Sequence, residues 1–119
     1  MGTIQLDFIR KTGYYISFAV SVCSGYFSGR SVFCMTQASI SSAIAALSFL
    51  NRELSGEYTV YDGDSNDYIR ICFKKYGRLQ ISGQLGGSYN EEYLVSSFES
   101  DQTGLTALIE SMRKLAVRG

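Results

Sequence analysis

The stretch Leu105–Ala116 constrains the fold more than any other part of the chain. Leu105, Leu108, Ile109, Met112, Leu115 and Ala116 recur at offsets of three and four residues, which puts them on one face of an α-helix. An apolar helical face has to be buried against another element. Most of what precedes it alternates with a period of two, the mark of half-buried strands. The chain therefore reads as an α+β domain in which helices cover sheet. The stripe opens after Ser100-Asp101-Gln102-Thr103-Gly104. There Ser100 or Asp101 can accept from the free N–H groups of the first turn, and an acid suits the positive end of the helix dipole.

From the N-terminus, Ile4, Leu6 and Phe8 alternate in a first strand over Thr3–Arg10. A second strand spans Tyr14–Cys23, with Ile16, Phe18, Val20 and Val22 on one face. After the Ser-Gly pairs of Ser24–Arg30, a third runs over Arg30–Met35 with Phe33 and Met35 together. The period then changes. Ile40, Ile44, Leu47, Leu50 and Leu54 form a helical stripe over Thr36–Leu54, with Thr36 or Ser39 as cap and Gly56 just past the end. The other side of that helix, Ser41, Ser42, Ala45, Ser48 and Phe49, is weakly polar and suits a helix largely covered by protein or, alternatively, a partner-binding face. Strands follow at Glu57–Tyr61, Tyr68–Lys75, Arg78–Leu85 and Glu92–Glu99, joined by short turn-rich segments. Short connections imply antiparallel neighbours. The expectation is one twisted antiparallel sheet of about seven strands, in the order βββαββββα, with both helices packed on one face.

At 119 residues the chain suits one domain, residues 1–119, with a core large enough to need no disulfide or metal. The formal net charge is zero, which argues against a nucleic-acid partner. Histidine is absent, which removes the commonest general base and metal ligand. Cys23, Cys34 and Cys72 lack the close spacing of a metal site. An odd number of thiols, and no basic region leading into an apolar run over Met1–Asp7, fit a reducing, cytoplasmic setting. No apolar run is long enough to span a bilayer. No cofactor, metal or catalytic residue is expected.

Asp62, Asp64 and Asn66 alternate like the first half of a calcium loop. The glycine after the third ligand is missing, however, and Phe73 stands where a bidentate glutamate belongs. A solvated hairpin turn accounts for the loop better. Catalysis through carboxylates such as Glu91, Glu92 and Asp101 has no pattern beyond the presence of acids. Charge segregates along the chain: Glu53–Ile69 holds acids and no base, Arg70–Arg78 bases and no acid, and Leu79–Met112 acids again. An acidic surface interspersed with tyrosines would suit a basic protein partner. The candidate partner-binding residues are Glu57, Tyr61, Asp62, Asp64, Asp67, Tyr89, Glu91 and Glu92.

The order of landmarks also resembles a family. Gly25-Tyr26-Phe27-Ser28-Gly29 precedes a strand and a helix with Leu50, Leu54 and Gly56. Gly77 marks a turn before Leu79-x-Ile81-x-Gly83-x-Leu85. Then comes Leu94-x-Ser96-x-Phe98-Glu99-x-Asp101-Gln102-Thr103-x-Leu105-x-x-Leu108. This resembles the WapI-type immunity proteins of bacterial polymorphic toxin and contact-dependent inhibition systems. The resemblance implies a small cytoplasmic, non-catalytic α+β protein that binds and neutralises a cognate toxin domain, as a monomer or weak homodimer. The alternative is a generic protein-binding or regulatory module, homo-oligomeric through an exposed sheet edge.

Overall fold

A computed structural model describes residues 2–24, 27–63, 65, 67–75, 78–85 and 94–118. The strands are β1 Thr3–Thr12, β2 Tyr15–Ser24, β3 Phe27–Thr36, β4 Glu57–Tyr61, β5 Tyr68–Phe73, β6 Leu79–Leu85 and β7 Leu94–Ser100. The helices are α1 Gln37–Glu53, between β3 and β4, and α2 Gln102–Arg118 after β7. The expected βββαββββα order is present, but the strands form two sheets rather than one. β1-β2-β3 make an antiparallel three-stranded sheet, and β4-β5-β6-β7 an antiparallel four-stranded one.

The break falls between β3 and β4, where α1 intervenes. β3 pairs with β2 on one side only, in a register that sets Phe33 opposite Phe18 and Cys34 opposite Ser17. Among the described residues, its other edge does not meet a strand. It meets the turn between β4 and β5 instead, as described below.

The helices tie the sheets together. α1 and α2 lie side by side and antiparallel: Gln37 Nε2 donates to the Ala116 carbonyl at 3.1 Å, and at the other end Gln102 Nε2 donates to the Asn51 carbonyl at 3.2 Å. α1 touches β3 of one sheet and β4 of the other, while α2 touches β1 and β7. One apolar cluster results. Ile16, Phe18 and Phe33 come from the first sheet, Ile71 and Leu79 from the second, Ile40 and Leu47 from α1, and Leu105 and Met112 from α2. These side chains are 0–2% exposed. Each is worth roughly 1.5–3 kcal/mol in transfer from water.

Local chemistry places the helix ends. Thr36 Oγ1 accepts from Ser39 N at 3.1 Å, so Thr36 rather than Ser39 is the cap of α1. Leu54 closes α1 in the left-handed region at φ 55°, and Gly56 follows at φ 94°. The positive φ calls for glycine at Gly56, and a Cβ there would stand 2.8 Å from Leu50 Cδ2, so that side chain would have to shift. Asp101 Oδ1 accepts from Gly104 N at 3.0 Å and caps α2.

Two local expectations change. β1 continues to Thr12 past a register shift between Phe8 and Arg10, the stagger of a β-bulge. α1 is not covered all round: Ser41, Ser42, Ala45 and Phe49 are exposed. Its buried stripe of Ile40, Ala43, Leu47 and Leu50 is narrow because two small sheets and one neighbouring helix cover only one side. Cys23 and Cys34 sit opposite Ser28 and Ser17, and all three cysteines are free.

Candidate functional site

The β4–β5 hairpin gathers all the candidate residues that can be described, Glu57, Tyr61, Asp62 and Asp67, and its two ends do different work. At the turn end, Asp62 and Asp67 are buried, at 7% and 2% exposure. The expectation of a solvated turn is therefore corrected for both. Asp62 Oδ1 accepts from Cys34 N at 2.9 Å, and Gly63 N donates to Cys34 O at 3.0 Å. Together these two bonds copy one rung of a β-ladder, with a carboxylate oxygen standing in for a backbone carbonyl. Asp67 Oδ2 accepts from Ser31 Oγ at 2.5 Å, three residues earlier on β3. Inside the turn, Ser65 Oγ donates to Asp62 Oδ2 at 2.6 Å, and Asp62 N donates to Asp67 O at 3.0 Å. Gly63 is needed for this approach, because a Cβ there would lie 2.8 Å from Cys34 O. The turn thus caps the free edge of β3 and joins the two sheets. Its acids are held for structure, since their acceptor sites are turned towards protein donors. Asp64 lies outside the described residues.

Along the strands the surface is different. On β4 the side chains of Tyr58 and Val60 turn to the core, and Glu57, Thr59 and Tyr61 lie on the other face. β5 sets Arg70 opposite Thr59 and Tyr68 opposite Tyr61. The Tyr61 and Tyr68 rings pack at 6.4 Å between centroids, tilted by 51°, and Tyr61 is 65% exposed. The Arg70 Nε donates to Glu57 Oε2 at 2.8 Å, and its Nη2 contacts the same oxygen. This hydrogen bond and the adjacent negative charge hold the Arg70 guanidinium above its ordinary pKa. Glu57, Tyr58, Thr59, Tyr61, Tyr68 and Arg70 line an open depression of about 540 Å³.

This arrangement redistributes the acidic stretch Glu53–Asp67. Asp62 and Asp67 are inside, Glu53 lies 4.0 Å from Arg52, and Glu57 is paired with Arg70. Further on, Glu110 pairs with Arg113 and Asp101 caps α2. Among the described residues, then, the hairpin presents a tyrosine–arginine surface rather than an acidic one. Of the candidates named from sequence, Glu57 and Tyr61 come together on it; Tyr89, Glu91 and Glu92 lie outside the described residues. Tyr68 and Arg70 are the additions. Alternation along Tyr68–Phe73 already put Arg70 outward, but only the β4–β5 register brings it beside Glu57.

Among the described residues, no group of His, Cys, Asp and Glu is placed to hold a metal ion. No helix is long and apolar enough to cross a membrane. Comparison of the chain with protein-family profiles, curated proteins and solved structures finds no match in any of the three.

Proposed function

We propose that this chain is a non-catalytic protein-binding domain, an immunity protein that occupies and neutralises a cognate toxin domain in the cytoplasm. The observation that carries the reading is the exposed β4–β5 face. Tyrosine and arginine are the residues most enriched at the energetic centres of protein interfaces. Here Tyr61 and Tyr68 pack against one another, and Arg70 is held in place by Glu57. A pre-organised surface loses less side-chain entropy on binding. The sequence resemblance to WapI-type immunity proteins supplies the kind of partner. The protein works as a monomer or weak homodimer, with no cofactor and no nucleic acid.

The test is co-purification with the variable C-terminal domain of a secreted protein encoded beside this chain, together with growth of cells expressing that domain. Complex formation and restored growth are expected. The Tyr61→Ala/Arg70→Ala double variant should fold and lose at least about tenfold in affinity, the scale of one or two interface anchors. Absence of both binding and protection by the wild-type chain refutes the reading.

A further inference from the structure

β4 is an edge strand, and its backbone is set out to receive another strand. The phase of the ladder follows from its two ends: Phe73 N donates to Gly56 O at 2.9 Å, and Asp62 N to Asp67 O at 3.0 Å. Bonded pairs alternate in an antiparallel ladder, so Tyr58 and Val60 bond to β5 through the register Tyr58↔Ile71 and Val60↔Ile69. Glu57, Thr59 and Tyr61 therefore aim their N–H and C=O groups away from the sheet. Among the described residues, no backbone hydrogen bond reaches those groups.

The edges of β1 and β3 are managed differently. β1 carries Asp7, Arg10 and Lys11 and a register shift, and β3 is capped at Cys34 by the β4–β5 turn. Charges, bulges and covering loops are the usual protections of a sheet edge. Among the described residues, β4 has no bulge and no covering loop, and its one charged residue, Glu57, is paired with Arg70.

Beside this edge runs a groove of about 290 Å³ between β4 and the first two turns of α1. Ala38, Ser39 and Ser42 form the helix wall, Tyr58–Tyr61 the strand wall, and Met35 lines one end. None of the described lining residues is charged. The small helix residues leave the space open.

We propose that this groove takes an extended, uncharged segment of the partner protein, added to the four-stranded sheet as a fifth strand beside β4. The proposal rests on the protein-binding reading above and deepens it by naming the mode of contact. Backbone groups at alternate positions ask for a strand as their complement. Uncharged walls ask for uncharged side chains, since a charge buried there would be unpaired. A second copy of this chain suits the groove less well. Two-fold pairing of β4 with itself leaves both α1 helices on the same face, so the second helix would arrive where the first already flanks the groove.

The experiment is amide hydrogen exchange on the full chain, alone and with the adjacent toxin domain as probe. In the free chain, the Thr59 and Tyr61 amides should exchange fast beside slow Tyr58 and Val60. In the complex, Thr59 and Tyr61 should slow by at least about tenfold. Thr59→Pro removes the outward donor and spares the β4–β5 ladder, since an edge strand tolerates proline where its N–H faces outward. It should weaken binding by at least about tenfold with circular dichroism unchanged. If that variant misfolds, Ser42→Trp, which fills the groove from an exposed helix position, should give the same loss. A complex that forms with Thr59 and Tyr61 still exchanging fast, or with both variants binding normally, overturns strand addition and leaves the binding reading standing. Slow exchange that appears in the free chain as its concentration rises assigns the edge to a second copy and overturns the proposal. No complex with the wild-type chain refutes the protein-binding reading, and the assignment of the occupant falls with it.

Discussion

Asp62 is the residue whose removal tests the architecture most directly. Its Oδ1 accepts from Cys34 N at 2.9 Å and its Oδ2 from Ser65 Oγ at 2.6 Å, with the side chain inside the protein. Hydrogen bonds to a carboxylate contribute roughly 1.5–3 kcal/mol each. Alanine at this position removes both and leaves the Cys34 amide on the β3 edge without its acceptor. Ser65 is half-buried and can turn to water, so its share sits at the low end. The expected cost is about 3–4 kcal/mol, a large part of the roughly 5–15 kcal/mol that holds a domain folded. At about 4 °C per kcal/mol for a chain of this size, Tm falls by about 12–16 °C. Asp62→Asn separates the two bonds: its carbonyl oxygen still serves Cys34, but its amide nitrogen cannot accept from Ser65. That variant should lose only about 1–2 kcal/mol. Urea unfolding followed by circular dichroism reads the energies, and hydrogen exchange at the Cys34 amide reads the location. Asp62→Ala should expose that amide, and Asp62→Asn should not. If the alanine variant loses less than about 1 kcal/mol, or the Cys34 amide stays protected in it, the turn does not join the sheets and the reasoning fails.

Other substitutions follow from the same geometry. Gly56→Ala meets both φ 94° and a contact with Leu50; it should cost about 1–3 kcal/mol in chemical denaturation. Asp101→Ala removes the cap on Gly104 N and should cost about 0.5–2 kcal/mol without changing partner affinity; a loss of binding with stability intact would make that junction functional. Leu47→Ala, at a position with 0% exposure, should lose about 2–5 kcal/mol by equilibrium unfolding. Arg70→Ala breaks a pair whose side chains are 47% and 53% exposed. Its thermal unfolding should hardly move, because solvent screens an exposed pair, while isothermal titration with the partner registers the loss.

Much of the fold was legible because it is written locally. Spacing alone puts Leu105, Leu108, Ile109, Met112 and Leu115 on one apolar helix face, and all are buried in α2. Ile69, Ile71 and Phe73 alternate inward on β5, and Leu79, Ile81 and Leu85 do so on β6. The Asp101 cap was readable because its acceptor and its donor are three residues apart. The acid-rich loop was misread for the complementary reason. Composition says that aspartates in a turn face water, and the donors that draw Asp62 and Asp67 inside, Cys34 N and Ser31 Oγ, lie 28 and 36 residues away.

What the sequence determined by itself is the set of elements, their order, most of their apolar faces and the few residues that can cap each helix. Period and capping are properties of neighbouring residues, so they need no knowledge of the rest of the chain. The tertiary structure decided which edges meet. It broke the strands into sheets of three and four, closed the gap with a turn instead of a ladder rung, and paired Glu57 with Arg70. Strand edges join through backbone N–H and C=O groups that every residue but proline carries alike. Alternation records the face a strand buries and is silent about the neighbour its edge finds.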